Sequence, residues 1–148
     1  MNGRLLLFSL SELHYALPLA SVDRIVPSVE VTPLPGAPEI VEGVINLAGK
    51  IVPIFNIRSP SALPAKALAL TDRIILAHTE KRRVGLIADS IGEVVECEKI
   101  IEPECIHPGL EHIGGIARIG EDLVLIQDLE AFLSGKERMQ LDLAMECT

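Results

Sequence analysis

Residues 43–58 read GVINLAGKIVPIFNIR, a run of branched aliphatic residues interrupted by a Gly-Lys step and by a proline. The run predicts two antiparallel strands, with either Ala48-Gly49 or Gly49-Lys50 at the centre of a tight turn. Pro53 has no backbone N–H to donate to a neighbouring strand. It therefore indicates an edge position or a bulge in the second strand.

Short apolar runs separated by turns continue on both sides of this stretch. They have the length and the aliphatic composition of strands, and their glycines fall at strand ends or turns, Gly115 and Gly120 among them. Many short strands at spacings of about ten residues predict an all-β barrel or sandwich. The runs expected to form hairpins are 4–10 with 13–19, 73–79 with 84–91, and the two halves of 116–129.

Only the C-terminal part of the chain predicts a helix. Asp128 suits the N-cap of a short helix over residues 129–134, and Gly135 suits its end. At 148 residues the chain fits one domain, which we expect to span residues 3–135. Residues 136–148 then form a tail, either a short amphipathic helix or a frayed end.

Composition limits the classes of function. Hydrophobic residues make up 49% of the chain and aromatic residues only 3%, so the core is expected to consist of Ile, Val and Leu. The net charge is -8, and it resides wholly in residues 76–148 because charges balance in residues 1–75. An acidic surface argues against binding of nucleic acid and against adsorption to an anionic membrane. It is compatible with a basic protein partner.

The sequence predicts a soluble, cytoplasmic protein without direct membrane insertion. The apolar run near the N-terminus ends at Ser11 and Glu12, which is too early for a signal peptide. No stretch approaches the roughly 18 apolar residues of a membrane-spanning helix. The 3 cysteines are an odd number without CxxC spacing, as expected for reduced thiols.

One loop offers residue types that could bind a metal. Cys105, His107 and His112 suit zinc, and Cys97 could join them. Their C-x-H-x4-H spacing is not a familiar set of zinc ligands, so we predict no metal, no cofactor and no catalytic residue. A metal-binding or enzymatic β-barrel that uses this loop is the alternative hypothesis.

The stretch over residues 38–58 resembles the signature PxxIxGVxNLRGxIVPIxDLR of the CheW family of chemotaxis adaptors. The resemblance covers nearly the whole chain: residues 5–26 are similar to the family's opening strands, residues 82–96 to its VGIVVDxVxDV segment, and residues 115–134 to its close. The residues that match the signature are Pro38, Gly43, Val44, Asn46, Leu47, Gly49, Ile51, Val52, Pro53, Ile54 and Arg58.

The resemblance implies two small five-stranded SH3-like β-barrels around a shared hydrophobic core. One subdomain is expected over residues 13–68, and the other over residues 3–12 and 69–135. It also implies a non-enzymatic adaptor that couples the cytoplasmic tip helices of chemoreceptors to the regulatory domain of the histidine kinase CheA.

In that role a groove would receive the apolar stripe of a receptor helix. Many family members carry Glu and Arg where this chain has Arg24 and Ala48, and Asp where it has Asn56. An exposed ion pair contributes only about 0–1 kcal/mol, so these differences should change partner choice rather than the fold. Either a receptor with compensating charge or a pathway other than motility would fit them. The residues predicted to line or border the groove are Val22, Arg24, Ile25, Gly43, Val44, Ala48, Gly85 and Ile91.

Overall fold

The computed structural model describes residues 3–10, 13–38, 40–57, 72–97, 100–101, 113–131 and 135–146. Two short 3-10 turns, Leu19–Ser21 and Leu129–Ala131, and one α-helix, α1 (Gly135–Glu146), accompany the strands of these residues. The strands are β1 (Gly3–Leu10), β2 (Leu13–Pro18), β3 (Val22–Pro27), β4 (Val41–Leu47), β5 (Lys50–Phe55), β6 (Arg73–His78), β7 (Arg83–Ala88), β8 (Ser90–Cys97), β9 (Ile100–Ile101), β10 (Ile113–Ile119) and β11 (Asp122–Gln127).

The strands form two sheets. Sheet 1 has five strands in the order β3-β6-β7-β5-β4, and sheet 2 has six in the order β8-β1-β2-β11-β10-β9. Neighbouring strands are antiparallel except for one parallel pair in each sheet, β5 with β7 and β2 with β11. The predicted all-β fold with a short C-terminal helix is confirmed. Sheet 2 exceeds the expected five strands through β9, a strand of 2 residues.

The expected boundaries of the two subdomains are wrong. Strand β2, assigned to the subdomain of residues 13–68, pairs with β1 and β11 in sheet 2. Strands β6 and β7, assigned to the other subdomain, pair with β3 and β5 in sheet 1. A boundary between residues 12 and 13 divides the β1–β2 hairpin, whereas the hairpin stays together because its strands share a continuous antiparallel register.

Long apolar runs arise because several strands are buried on both faces. Successive side chains of β6 alternate between two apolar clusters: Ile75 and Ala77 face the core shared with sheet 2, and Ile74 and Leu76 face the interior of sheet 1. Sheet 2 has an equivalent interior cluster that includes Leu5 and Ala16. Strands between two apolar layers have no polar face and therefore read as continuous hydrophobic runs.

The core shared by the two sheets is the largest apolar cluster among the described residues. Burial of each large side chain in it contributes about 1.5–3 kcal/mol, so the two sheets stabilise each other, as the predicted shared core requires. Its buried members are Leu6, Phe8, Leu10, Tyr15 and Leu17 of sheet 2, Ile40, Val41, Phe55, Ile57, Ile75, Ala77, Val84, Leu86 and Ala88 in and beside sheet 1, and Leu129 and Leu141.

Thr32 continues the chain from β3 onto the outer edge of β4 and so closes sheet 1 into a barrel. The Thr32 N–H donates to the Val44 carbonyl at 2.9 Å, and the Val44 N–H donates to the Thr32 carbonyl at 2.8 Å. A Cβ added at Gly43 would lie only 2.3 Å from the Thr32 carbonyl oxygen. Glycine at this position therefore permits the close approach of the two backbones.

Pro53 does not lie on an edge strand or at a bulge, so that prediction is wrong. Strand β5 is flanked by β4 and β7 inside sheet 1. The irregularity in the β4–β5 ladder falls on β4, between Val41 and Gly43. The bend expected at the proline is thus on the neighbouring strand.

Register explains why an interior strand accepts this proline. Leu47 pairs with Lys50 across the turn, and Val44 pairs with Pro53. Because hydrogen-bonded and non-hydrogen-bonded pairs alternate along an antiparallel ladder, Val44 and Pro53 form a pair without backbone hydrogen bonds. Strand β7 joins β5 only from Ile54 onward. The missing N–H therefore breaks no ladder hydrogen bond.

Two of the three glycines expected at turns or strand ends lie in turns. Gly49, with φ +88°, follows Ala48 in the two-residue turn between β4 and β5, and Gly120, with φ +63°, lies in the turn between β10 and β11. Gly115 lies inside β10 instead, at a register irregularity that begins at Ile113. That position is a bulge and not a strand end.

The helix begins where the sequence predicted a helix to end. Asp128 caps only the 3-10 turn, where its Oδ1 accepts a hydrogen bond from the Glu130 N–H at 3.0 Å. Helix α1 starts at Gly135 and packs Leu141 into the shared core, which fits the amphipathic-helix alternative for the tail and not a frayed end. No helix of the described residues is long and apolar enough to cross a membrane.

Candidate functional site

Strand β3 carries the most accessible part of the predicted partner groove. Arg24 is exposed, and Ile25 keeps 38% of its surface accessible. Val22 is half-buried and packs against the shared core. Because β3 pairs only with β6 in sheet 1, its side chains border the core from an edge of the sheet. This edge provides accessible apolar side chains on one strand with the exposed Arg24.

Gly43, Val44 and Gly85 are buried, so the prediction that they line a groove is wrong. Val44 is only 5% exposed, and Gly43 abuts the Thr32 backbone as described above. A Cβ at Gly85 would lie 2.6 Å from Ile54 Cδ1 inside sheet 1. The two glycines are explained by close packing between strands.

Ile91 belongs to sheet 2 and borders the same core from the other side. It lies on β8, pairs with Phe8 of β1, and packs half-buried against the shared core. Val22 and Ile91 therefore contact one apolar cluster from different sheets. Of the predicted groove residues, Val22, Ile25 and Ile91 are the branched aliphatic side chains that retain access to solvent.

Ala48 is an exposed turn residue in a backbone conformation that alanine rarely adopts. Its φ is +52° and that of Gly49 is +88°, and two positive values at the centre of a two-residue hairpin define a type I′ turn. The Gly49 N–H donates a hydrogen bond of 2.9 Å to Asn46 Oδ1. Ala48 and Arg24 belong to opposite edges of sheet 1, the β4–β5 hairpin and β3.

Asn56, at the position of the Asp in the signature PxxIxGVxNLRGxIVPIxDLR, has a structural role. Its Nδ2 donates to Glu42 Oε2 at 3.1 Å, and its backbone N–H donates to the Ile40 carbonyl at 2.9 Å. An aspartate would place a second carboxylate against Glu42, whereas the amide supplies a donor. The Asn is thus matched to its neighbour.

Sequence reasoning missed a set of ion pairs at the end of sheet 1 near the β6–β7 loop. Asp23 Oδ1 lies 2.8 Å from His78 Nδ1, and Asp23 Oδ2 lies 3.5 Å from Arg83 Nε. Arg82 pairs with Asp142 of α1. The pKa of Arg82 is lowered by desolvation through burial. The available signal was the basic run 81–83 within the acidic half of the chain.

A groove of about 330 Å³ opens beside these pairs. Its cationic side chains come from Lys50 and from the end of β6 and start of β7, and helix α1 supplies Met145 as part of the wall. We call it the basic groove. Its lining residues are Lys50, Ile51, Val52, Pro53, His78, Arg82, Arg83 and Met145.

The candidate metal ligands Cys105, His107 and His112 lie outside the described residues. Cys97 is described and is buried. Within the ranges that the structure does describe, no group of three His, Cys, Asp or Glu side chains could hold a metal ion. The metal hypothesis for that loop stays a prediction.

The fold and the surface define a β-protein of two sheets around one core, with accessible apolar and charged surfaces suited to protein binding. The sequence profile of the CheW-like domain matches residues 4–137, which is most of the chain. The chain therefore belongs to the CheW-like family, as the sequence resemblance predicted. This is a family of scaffolding proteins and not of enzymes.

Individual relatives agree with this assignment. The chemotaxis protein CheW of Treponema pallidum is 30% identical over 146 residues, which cover 93% of this chain and 86% of the relative. The chemotaxis protein CheW of Klebsiella aerogenes is 27% identical over 145 residues, with coverage of 93% and 85%. The crystal structure of the scaffolding protein TtCheW from Thermoanaerobacter tengcongensis superposes with a TM-score of 0.78 at 30% identity, over 87% of this chain and 90% of that protein.

Proposed function

We propose that this protein is a cytoplasmic adaptor that couples chemoreceptors to the histidine kinase CheA. The observation that carries the proposal is the match of the CheW-like domain over residues 4–137, together with relatives named as chemotaxis proteins. The adaptor binds the cytoplasmic tip helices of a receptor at one surface and the regulatory domain of the kinase at another. It binds no nucleic acid and does not insert into the membrane.

The apolar surface at β3 and β8 is the proposed receptor site. Val22 and Ile91 contact the shared core from the two different sheets, and Ile25 extends this surface on β3. A receptor helix that presents an apolar stripe to these side chains would contact both sheets at once. Its binding can alter kinase activity only if it favours one arrangement of the complex over another.

Arg24 gives the proposed site a charge opposite to the Glu that many relatives carry. Charges at the rim of an interface influence specificity and association rate more than affinity. A receptor with an acidic side chain facing Arg24 is therefore the expected partner. Exchanging charges with Arg24→Glu and Ala48→Arg should change the order of preference among receptors, and an unchanged order would contradict this role.

The proposal is tested by reconstituting the purified protein with a receptor cytoplasmic fragment and CheA. Kinase autophosphorylation should depend on the receptor only when the adaptor is present. Ile25→Glu should weaken receptor binding at least about tenfold by placing a charge in an apolar contact. The same variant should retain kinase binding.

Leu123→Glu serves as the matched control, because Leu123 is an exposed leucine of sheet 2 with 62% of its surface accessible. Equal loss of receptor binding in both variants would contradict the β3 site. A folded wild-type protein that binds neither receptor nor kinase would contradict the proposed function itself.

A further inference from the structure

The basic groove combines two kinds of surface. Ile51 is 39% exposed along its floor, beside Pro53 and the half-buried Met145. Lys50 and Arg83 are exposed at its edges. Apolar side chains flanked by cations suit a ligand that is itself apolar in the middle and anionic at its flanks.

We propose that the basic groove binds a short acidic peptide segment of a partner protein, with an apolar side chain on Ile51 and Met145 and carboxylates at Lys50 and Arg83. The site does not include the β3 surface assigned above to a receptor. It goes beyond the proposed function and does not depend on it.

The cations of the groove keep donors available for a ligand. Each guanidinium has five N–H donors in a planar fork that fits a carboxylate. The contact of Arg83 with Asp23 uses Nε at 3.5 Å, which leaves its terminal nitrogens for a second acceptor. Lys50 is exposed at the first position of β5, where its ammonium can reach a ligand above the groove.

Two acidic side chains belong to the same neighbourhood and limit the charge of the groove. Asp23 faces His78 and Arg83, and Asp142 of α1 faces Arg82. These two carboxylates pair with His78, Arg82 and Arg83, and neither pairs with Lys50. The groove therefore keeps a positive excess in a chain whose net charge is -8.

The ligand is a peptide and not a nucleic acid or a small inorganic anion. A polyanion would extend beyond the groove over a chain with a net charge of -8, and like charges repel it there. A small anion would leave the exposed Ile51 uncovered. A segment of a few residues fills about 330 Å³ and contacts both kinds of surface.

The test is a selection of random short peptides, displayed on phage, against the immobilised full-length protein. Selected peptides are then measured by fluorescence polarisation against the wild-type protein and its variants. Lys50→Glu and the double variant Lys50→Glu/Arg83→Glu reverse the charge of the groove. Arg4→Glu/Arg118→Glu makes the same change of charge as the double variant on exposed residues of sheet 2.

We expect the enriched peptides to carry carboxylates on both sides of an apolar residue. Their affinity should fall at least about tenfold on the double variant and stay within about twofold on the sheet 2 control. Replacing their Glu and Asp by Gln and Asn should cause a comparable loss. Lys50→Glu alone provides the comparison if the loss of the Arg83 ion pair unfolds the double variant.

Several outcomes would overturn the proposal. These are a selection that enriches no peptides, enriched peptides without acidic residues, and equal losses of peptide affinity in the groove and sheet 2 variants.

Binding of CheA and receptor is measured on the same variants. Unchanged receptor and kinase binding beside lost peptide binding separates the groove from the proposed function.

Discussion

Replacing Gly43 by alanine tests whether this signature residue acts in the fold or in partner binding. The added Cβ would lie 2.3 Å from the Thr32 carbonyl oxygen and 2.8 Å from the carbonyl carbon. Both atoms belong to the backbone, so no change of side-chain rotamer relieves the overlap. The segment at Thr32 must move away from β4.

The expected loss of stability follows from the contacts that this movement breaks. Two backbone hydrogen bonds join Thr32 to Val44, and each contributes about 0.5–1.5 kcal/mol net. Val44, now 5% exposed, also becomes more accessible to solvent. We expect the free energy of unfolding to fall by about 2–4 kcal/mol, which lowers Tm by about 5–15 °C for a chain of this size.

Urea denaturation followed by circular dichroism measures the change, with Gly3→Ala as the matched control. A Cβ at Gly3 meets nothing within 4 Å, so that variant should differ from the wild type by less than about 0.5 kcal/mol. The double variant Val31→Ala/Gly43→Ala should not recover stability. The Val31 Cγ1 contact at 2.9 Å is with a side chain, whereas the shorter contacts are with the backbone.

One result would refute the reasoning. If Gly43→Ala unfolds at the same urea concentration as the wild type and yet loses binding of a receptor or kinase, Gly43 contacts the partner directly. Closure of sheet 1 at Thr32 would then not be the reason for this glycine.

Three further substitutions test the core, the turn and the helix. Tyr15→Phe should raise the free energy of unfolding by about 1–3 kcal/mol, because the buried hydroxyl has no hydrogen-bond partner among the described residues. The ring stacks on Phe8 without the hydroxyl. A variant that is less stable than the wild type in urea denaturation would reveal a water bound to the hydroxyl. Ala48→Asn should raise the free energy of unfolding by about 0.5–1 kcal/mol, since asparagine tolerates positive φ in a type I′ turn, and an unchanged or lower Tm would contradict that assignment. Leu141→Ala should cost about 2–5 kcal/mol because the side chain is fully buried, whereas Leu143→Ala, at 59% exposure, should change little; equal effects in thermal denaturation would indicate a frayed helix.

The strands were predicted well because aliphatic runs and turn residues, which indicate strands, lie within short segments of the sequence. The hairpin around Gly49 was found from aliphatic runs and one glycine, and the structure adds that Ala48 and Gly49 are its central residues. For residues 136–148 the sequence left open a short amphipathic helix or a frayed end, and the structure shows the helix, which starts where the expected helix of residues 129–134 was to end. Among the helix side chains that the structure describes, only Leu141 and Ala144 are buried, so the apolar pattern of the helix is weak.

The candidate site was predicted less completely than the fold. Val22 and Ile91 are accessible apolar residues beside the shared core, and Ile25 is exposed on the same strand as Val22. A glycine in the sequence does not show whether its backbone approaches a ligand or another strand. Gly43 and Gly85 were therefore predicted to line the groove. The basic groove was not predicted from the sequence, because Lys50 and Arg83 are far apart in the chain.

The sequence by itself determined the class of fold, the hairpins and the family, because strand periodicity, turn residues and the family signature all reside in short segments. Only the tertiary structure decided which hairpins share a sheet, that Thr32 closes sheet 1 over Gly43, and that α1 completes both the core and the basic groove. Those features depend on contacts between residues distant in sequence. Such contacts form through packing and register, and no local pattern encodes them.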